Sequence, residues 1–204
     1  MFMKADLHIH STASDGGFDP EQVIMIAKSR GIDTIAISDH NSIDGLDKAF
    51  EAGQKHGISV IPAVELSTRF NDESIHILGY FKNDKFNSAA FKDILKQVKK
   101  HSLSKLRKAL GVYGKHPHSN KYLSCSEGIH LLRTFDAAVV LAHPVRISEK
   151  NLLSILSLPF DGIEAKYCRN SPQYTDFFID IATKQFSYRQ TAGFKALLHW
   201  ESLS

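Results

Sequence analysis

Cysteine is scarce in this chain, a long apolar run is missing, and neither sign of charge dominates. The two cysteines, Cys125 and Cys168, fall at no metal-binding spacing and form no disulfide framework, so a reducing compartment is expected. The opening Met-Phe-Met-Lys has no apolar signal core, and no stretch approaches the roughly 20 apolar residues of a membrane span. A cytoplasmic protein away from membranes is therefore expected, with no protein partner indicated. The formal net charge of +3 is too small to argue nucleic-acid binding by itself. No glycine-rich phosphate loop precedes a helix, and no Ser-His-Asp or reactive-cysteine arrangement is visible. What is abundant is histidine, with eleven in 204 residues. At 43% hydrophobic and 23% charged, the composition is otherwise that of a globular domain with one sizeable core.

The chain alternates between strand and helix patterns. "KADLHI" reads as a strand, and "DPEQVIMIAKSRG" as a helix with Asp19 as N-cap, Pro20 in the first turn and Gly31 past the end. "DTIAIS" is a short buried strand, "DGLDKAFEAGQKHG" a helix closed by Gly57, "SVIPAVEL" a third strand and "SIHILGYF" a fourth. Residues 86–110 carry a long helical pattern with a basic, solvated face. Residues 111–126, "GVYGKHPHSNKYLSCS", read as a linker or a shortened insertion. Beyond it come a helix ("EGIHLLRTF"), a strand ("AAVVLAHP"), a helix ("EKNLLSILSL"), a strand ("FDGIEAKY") and a helix capped by Ser171. "FSYRQTAG" reads as a last strand. Repeated strand–helix units predict parallel strands with right-handed crossovers, an α/β sheet or barrel.

The unusual polar residues gather at strand exits. His8 and His10 share one face of the first strand, because side chains alternate, and Asp15 follows in "HSTASDGG". Asp39 and His40 end the second strand, Glu65 ends the third, His76 lies in the fourth, and His143 closes "VVLAHP". Each has a bland alternative: a satisfied core histidine, turn chemistry, or an ion pair of Glu65 with Arg69. Together they are better explained by one cause, since the carboxyl ends of parallel strands meet on one face. His, Asp and Glu without paired Cys are ligands for divalent Zn, Mn or Fe. They exceed what one tetrahedral ion uses, which asks for two or three ions with Glu65 bridging. His56, His101 and His130 read as surface or packing residues, and His116 and His118 fall in the irregular stretch.

"DLHIHSTASDG", "ISDHNSIDG", "AVELS", "HILGY" and "LAHP", in this order, resemble the PHP (polymerase and histidinol phosphatase) family of metal-dependent phosphoesterases. The resemblance covers residues 5 to about 193, loosely over 84–135. It implies a distorted (β/α)7 TIM-like barrel in a single domain spanning 1–204, with a reduced insertion at about 84–130. It also implies ligand roles. His8 and His10 would hold a first ion, bridged by Glu65 to a second held by His76 and His143, while Asp15 and His40 would hold a third. Asp39 would orient a ligand, and Arg146 in "HPVR" would clamp a phosphate. The implied substrate is a nucleotide, a short single-stranded oligonucleotide or a small phosphorylated metabolite.

The C-terminus departs from the family pattern. Where a Gly-Ser-Asp-x-His type motif belongs, the chain runs "RQTAGFKALLHWESLS", with Phe194 and Lys195 in place of Ser and Asp and His199 displaced. Two well-held ions, a weak or empty third and low activity are expected. Two alternatives stand beside the phosphoesterase: a PHP-like module that has lost catalysis, and an amidohydrolase, which also opens on H-x-H. Asp15 and the Asp39-His40 pair argue against the latter.

Overall fold

In the computed structural model, which describes residues 4–109 and 121–186, seven strands form one sheet. They are β1 (Ala5–Ile9), β2 (Thr34–Ile37), β3 (Ser59–Phe70), β4 (Glu73–Phe81), β5 (Leu123–Ser124), β6 (Ala137–Leu141) and β7 (Gly162–Ile163). The helices are α1 (Pro20–Ser29), α2 (Leu46–His56), α3 (Ala89–Lys99), α4 (Ser104–Ala109), α5 (Cys125–Thr134), α6 (Glu149–Leu156) and α7 (Pro172–Phe186). Strand order is β1-β2-β3-β4-β6-β7, with β5 beside the outer end of β3. The sheet curls so far that His8 on β1 meets Glu164, just past β7, at 3.1 Å. An α/β half-barrel results.

Local chemistry explains the element ends. Asp19 caps α1 by accepting from the Glu21 N–H at 3.0 Å, and Gln22 reaches back to the Asp19 N–H. This is a reciprocal cap, with Pro20 preset for the first turn. Helix α2 stops at Gly57, whose φ of 70° is open to glycine without strain. Ser171 accepts from the Tyr174 N–H at the start of α7.

The expectation of parallel strands throughout is corrected at β4, which runs antiparallel to both β3 and β6. Phe70 and Glu73 pair across Asn71-Asp72, and so short a connection permits only a hairpin. Asn71 turns it with a left-handed φ of 52°. Strand β3 therefore does not end at Glu65 but continues to Phe70, beyond the barrel rim. The helical pattern over 86–110 is split into a 3-10 turn, α3 and α4. The break lies at His101, whose φ is 54° and whose Nδ1 pairs with the Lys121 carbonyl. The strand read in "FDGIEAKY" shrinks to Gly162–Ile163. The last strand, at 186–193, lies outside the described residues except for Phe186, which belongs to α7.

The two sheet faces differ in kind. On the convex face Val64, Leu66, Ile75, Ile77, Val139 and Leu141 join the large core under the helices. Within that core Phe91, Phe160 and Phe178 are buried, each contributing about 1.5–3 kcal/mol. Helix α5 lies hard against this face: a Cβ on Gly79 would come within 2.5 Å of Leu132, and one on Gly128 within 2.7 Å of Thr68. On the concave face the strand period places Ile61, Ala63 and Glu65 in one row and His76, Leu78 and Tyr80 in the next. A small cluster of Ala36, Ala63, Leu78, Tyr80 and Ala142 forms the floor. Tyr80 donates to the Leu7 carbonyl at 2.9 Å, tying β4 to β1 beneath the polar layer.

Candidate metal centre

Glu65 stands in the middle of that polar layer with no solvent exposure. Its Oε1 lies 3.1 Å from His76 Nδ1 and 3.1 Å from His143 Nε2. Its Oε2 lies 3.1 Å from His40 Nδ1, 3.2 Å from His10 Nε2 and 3.4 Å from His8 Nε2. Five imidazoles from four places in the chain thus face one carboxylate. The antiparallel run of β4 brings His76 there: the beginning of β4 lies at the end of the barrel where β1 and β2 finish. Strand pairing carries on past β2 as a bridge between His40 and Glu65, which sets those two side by side.

Buried charge explains the titration behaviour. Burial would raise the Glu65 carboxyl, but the imidazoles of His10, His143, His76 and His8 around it hold it well below the usual range. Burial opposes charge on His8, yet Glu164 and Glu65 push the ring up to about 10. Burial lowers His40, only partly opposed by Glu65. A buried carboxylate held ionised among imidazoles also favours a cation beside it.

The donor set fits a metal. Glu65 Oε2 and His40 Nδ1 are buried without a directed hydrogen bond, although nitrogens crowd the oxygen at 3.1–3.4 Å. Lone pairs that converge without sharing a proton are what a cation between them requires. Two sets of donor atoms each lie within 4.8 Å of one another: His8, Glu65 and His143, and His10, His40 and Glu65. Both contain Glu65, and they cut across the ligand pairs implied by the resemblance. His76 abuts the shared carboxylate from Oε1. Asp15, two-thirds exposed, spans the rim between His10 Nδ1 at 3.4 Å and His40 Nε2 at 3.8 Å.

Asp39 acts on the loop. Its carboxylate accepts from the Ser11 N–H and hydroxyl, both at 2.7 Å, and from the Ser14 hydroxyl at 2.5 Å. Ser14 in turn touches Asp15 and lies 3.5 Å from His10 Nδ1, so Asp39 holds the turn that presents both. Gly16 closes this turn, and any Cβ there would strike the His10 carbonyl. Arg146, exposed on the turn after His143, lines a cavity of about 850 Å³ that opens over the histidines. His116, His118, Phe194, Lys195 and His199 lie outside the described residues.

Sequence reasoning missed Glu164. It is 2% exposed, sits one residue past β7, and contacts both His8 and His143. The signal was available, because an acid at a strand exit is the same pattern that singled out Glu65. Asp6 was missed too; it is buried beside the cavity and accepts from the His8 N–H.

A half-barrel with histidines and carboxylates at one rim defines a class of scaffold, and the comparisons resolve which. The chain belongs to the PHP domain family, whose model matches residues 6–184. It is 43% identical over 79 residues to a 5'-3' exoribonuclease of Haemophilus influenzae, a match covering 39% of this chain and 29% of that protein. It is 39% identical over 79 residues to a phosphoribosyl 1,2-cyclic phosphate 1,2-diphosphodiesterase of Eggerthella lenta, covering 38% and 30%. The matches therefore span about 30% of the length of these curated relatives. A candidate metal-dependent phosphoesterase of Bifidobacterium adolescentis superposes with a TM-score of 0.67 at 21% identity, covering 89% of this chain and 84% of that one. That likeness establishes the fold. No helix among the described residues is long and apolar enough to cross a membrane.

Proposed function

We propose that the protein is a metal-dependent phosphoesterase acting on a phosphate ester of a nucleotide, a short oligonucleotide or a small metabolite. The observation that carries this reading is the pair of donor triads sharing the buried Glu65. His, Glu and Asp donors suit Zn, Mn or Fe. His8, Glu65 and His143 would hold one ion, and His10, His40 and Glu65 a second, with His76 beside the shared carboxylate. Asp15 and His40 would face a weaker third. Such ions, when bound, supply Lewis acidity and an activated water near neutral pH.

The chain's own residues bind and orient. Glu65 balances the imidazoles and fixes their separation, while Asp39 holds the loop that carries Asp15 at the rim. Arg146, on the cavity wall, would take two phosphate oxygens through its planar fork. Arg30, Lys166 and Arg169 line the same cavity, and Phe18 offers an aromatic face on its wall. Such a lining favours an anionic, ring-bearing substrate. The names of both curated relatives specify phosphate esters of ribose, which supports a nucleotide or phosphoribosyl substrate. The free Cys125 and Cys168 support a reducing, cytoplasmic setting, with burial pushing the Cys125 thiol up to about 11. Low turnover is expected, because Phe194 and Lys195 replace the Ser and Asp that the family resemblance requires.

The test is protein reconstituted with Zn, Mn or Fe(II) and offered a chromogenic phosphodiester, a nucleoside bisphosphate, a short 5'-phosphorylated RNA, an amide and a lactone. Phosphoester hydrolysis that a chelator abolishes is the expected result. Amide or lactone cleavage without phosphoester cleavage would replace the reading with an amidohydrolase. Tight metal binding without turnover of any substrate would leave a binding module.

A further inference from the structure

Glu164 is an acid that the ligand set does not use. Its two carboxylate oxygens lie 3.1 Å from His8 Nδ1, and one of them accepts the His143 backbone N–H at 2.7 Å. His8 and His143 are the two histidines of one donor triad, and the other triad, His10, His40 and Glu65, makes no hydrogen bond or ion pair with Glu164. The His8 ring can present only one nitrogen to the site. With Nδ1 against Glu164, Nε2 faces Glu65 at 3.4 Å. His143 has a φ of 29°, in the left-handed region that a residue with a Cβ avoids. Such a conformation persists where surrounding bonds determine it, and the His143 N–H to Glu164 bond is one of them.

We infer that Glu164 is the positioning residue for one half of the centre: it sets the ring of His8 and the backbone of His143 so that both present Nε2 beside Glu65. The inference rests on the metal reading of the site. A carboxylate that takes the second ring nitrogen of a ligating histidine fixes which nitrogen carries the proton, and its loss typically weakens metal affinity about 10–100-fold. Because Glu164 serves one triad, its removal should split the two ions. The Glu164→Gln variant keeps an acceptor and nearly the same volume, so the fold should survive. Glu164→Leu removes the acceptor altogether.

The experiment is a zinc titration of the full chain against a competing chelator, comparing the parent with Glu164→Gln. One zinc should weaken about 10–100-fold while the other stays at parental affinity. Equal weakening of both, or of neither, would overturn the inference. A second measurement needs no metal: amide hydrogen exchange at His143 in metal-free protein. Exchange should be faster in Glu164→Leu than in the parent, with the β3–β4 hairpin amides unchanged. Unchanged exchange at His143, or faster exchange everywhere, would overturn it too. A parent that binds no zinc would defeat the metal reading, and with it the ligand-positioning role, even if His143 exchange still followed Glu164.

Discussion

Glu65→Gln exchanges one buried carboxylate oxygen for an amide nitrogen and removes the negative charge at the middle of five histidines. The amide NH2 can neither accept nor ligate, so whichever side it faces loses its oxygen: either His76 and His143, or His8, His10 and His40. At an effective dielectric of about 20, a unit charge pair about 4 Å apart is worth about 4 kcal/mol, and a divalent ion doubles that. Relief of crowding and an entering water recover part of it. A net loss of about 4 kcal/mol is expected, about a thousandfold in affinity. Both ions should suffer, because both donor sets contain Glu65. Metal is counted by mass spectrometry after dialysis at fixed free zinc, with affinities from chelator competition. His130→Asn, on the exposed face of α5, serves as the control. A Glu65→Gln protein that keeps two ions at parental affinity would refute a shared carboxylate. Loss of a single ion would assign Glu65 to one site alone.

Arg146→Ala should raise KM for a phosphate ester while leaving metal content unchanged, because Arg146 lines the cavity but belongs to neither donor triad; steady-state kinetics with metal analysis checks this. Gly79→Ala should destabilise by about 1–3 kcal/mol through overpacking against Leu132, read as a lower urea midpoint, and with Leu132→Ala in the same chain the loss should be smaller than the sum of the two single losses. Burial opposes ionisation of Glu127, but Arg107 and the Ser124 N–H hold its carboxyl below the ordinary value. A depressed folded value means stabilisation that is full above the unfolded carboxyl range and lost as pH falls through the folded value. Urea melts from about pH 6 down to about pH 3 should show a steeper acid loss for the parent than for Glu127→Gln.

The strand exits were legible because strand geometry is strict. An H-x-H pair must face one way, and residues after parallel strands meet at one rim, so His8, His10, His40, Glu65 and His143 stood out by position. His76 reaches the rim only because β4 runs antiparallel, and the ligand roles came from the family resemblance. The hairpin was not legible, since "STRFNDE" is polar and looks like a connection. It is strand all the same, because it projects past the barrel and only Thr68 of its β3 residues there is fully buried. The helix break at His101 was hidden for the opposite reason: apolar spacing continues smoothly across it, while the backbone reverses locally onto the Lys121 carbonyl. Glu164 was overlooked because "FDGIEAKY" reads as a strand running past it, whereas the strand ends at Ile163 and leaves Glu164 at its exit.

The meeting of β1 and β7 at the ends of the sheet has a consequence for how the chain holds together. His8 and Glu164 are 156 residues apart in sequence, and the link between them is made by side chains. An ion seated on His8, Glu65 and His143 would join the first strand, the centre of the sheet and the turn after β6. It would act as a cross-link closing long loops, as a disulfide does, in a chain with no disulfide among the described residues. Binding would then contribute directly to folding stability, growing with the logarithm of free metal. Starved of metal, the protein should open from β1 and β7 inward, and a protease should find those two strands before it finds the hairpin.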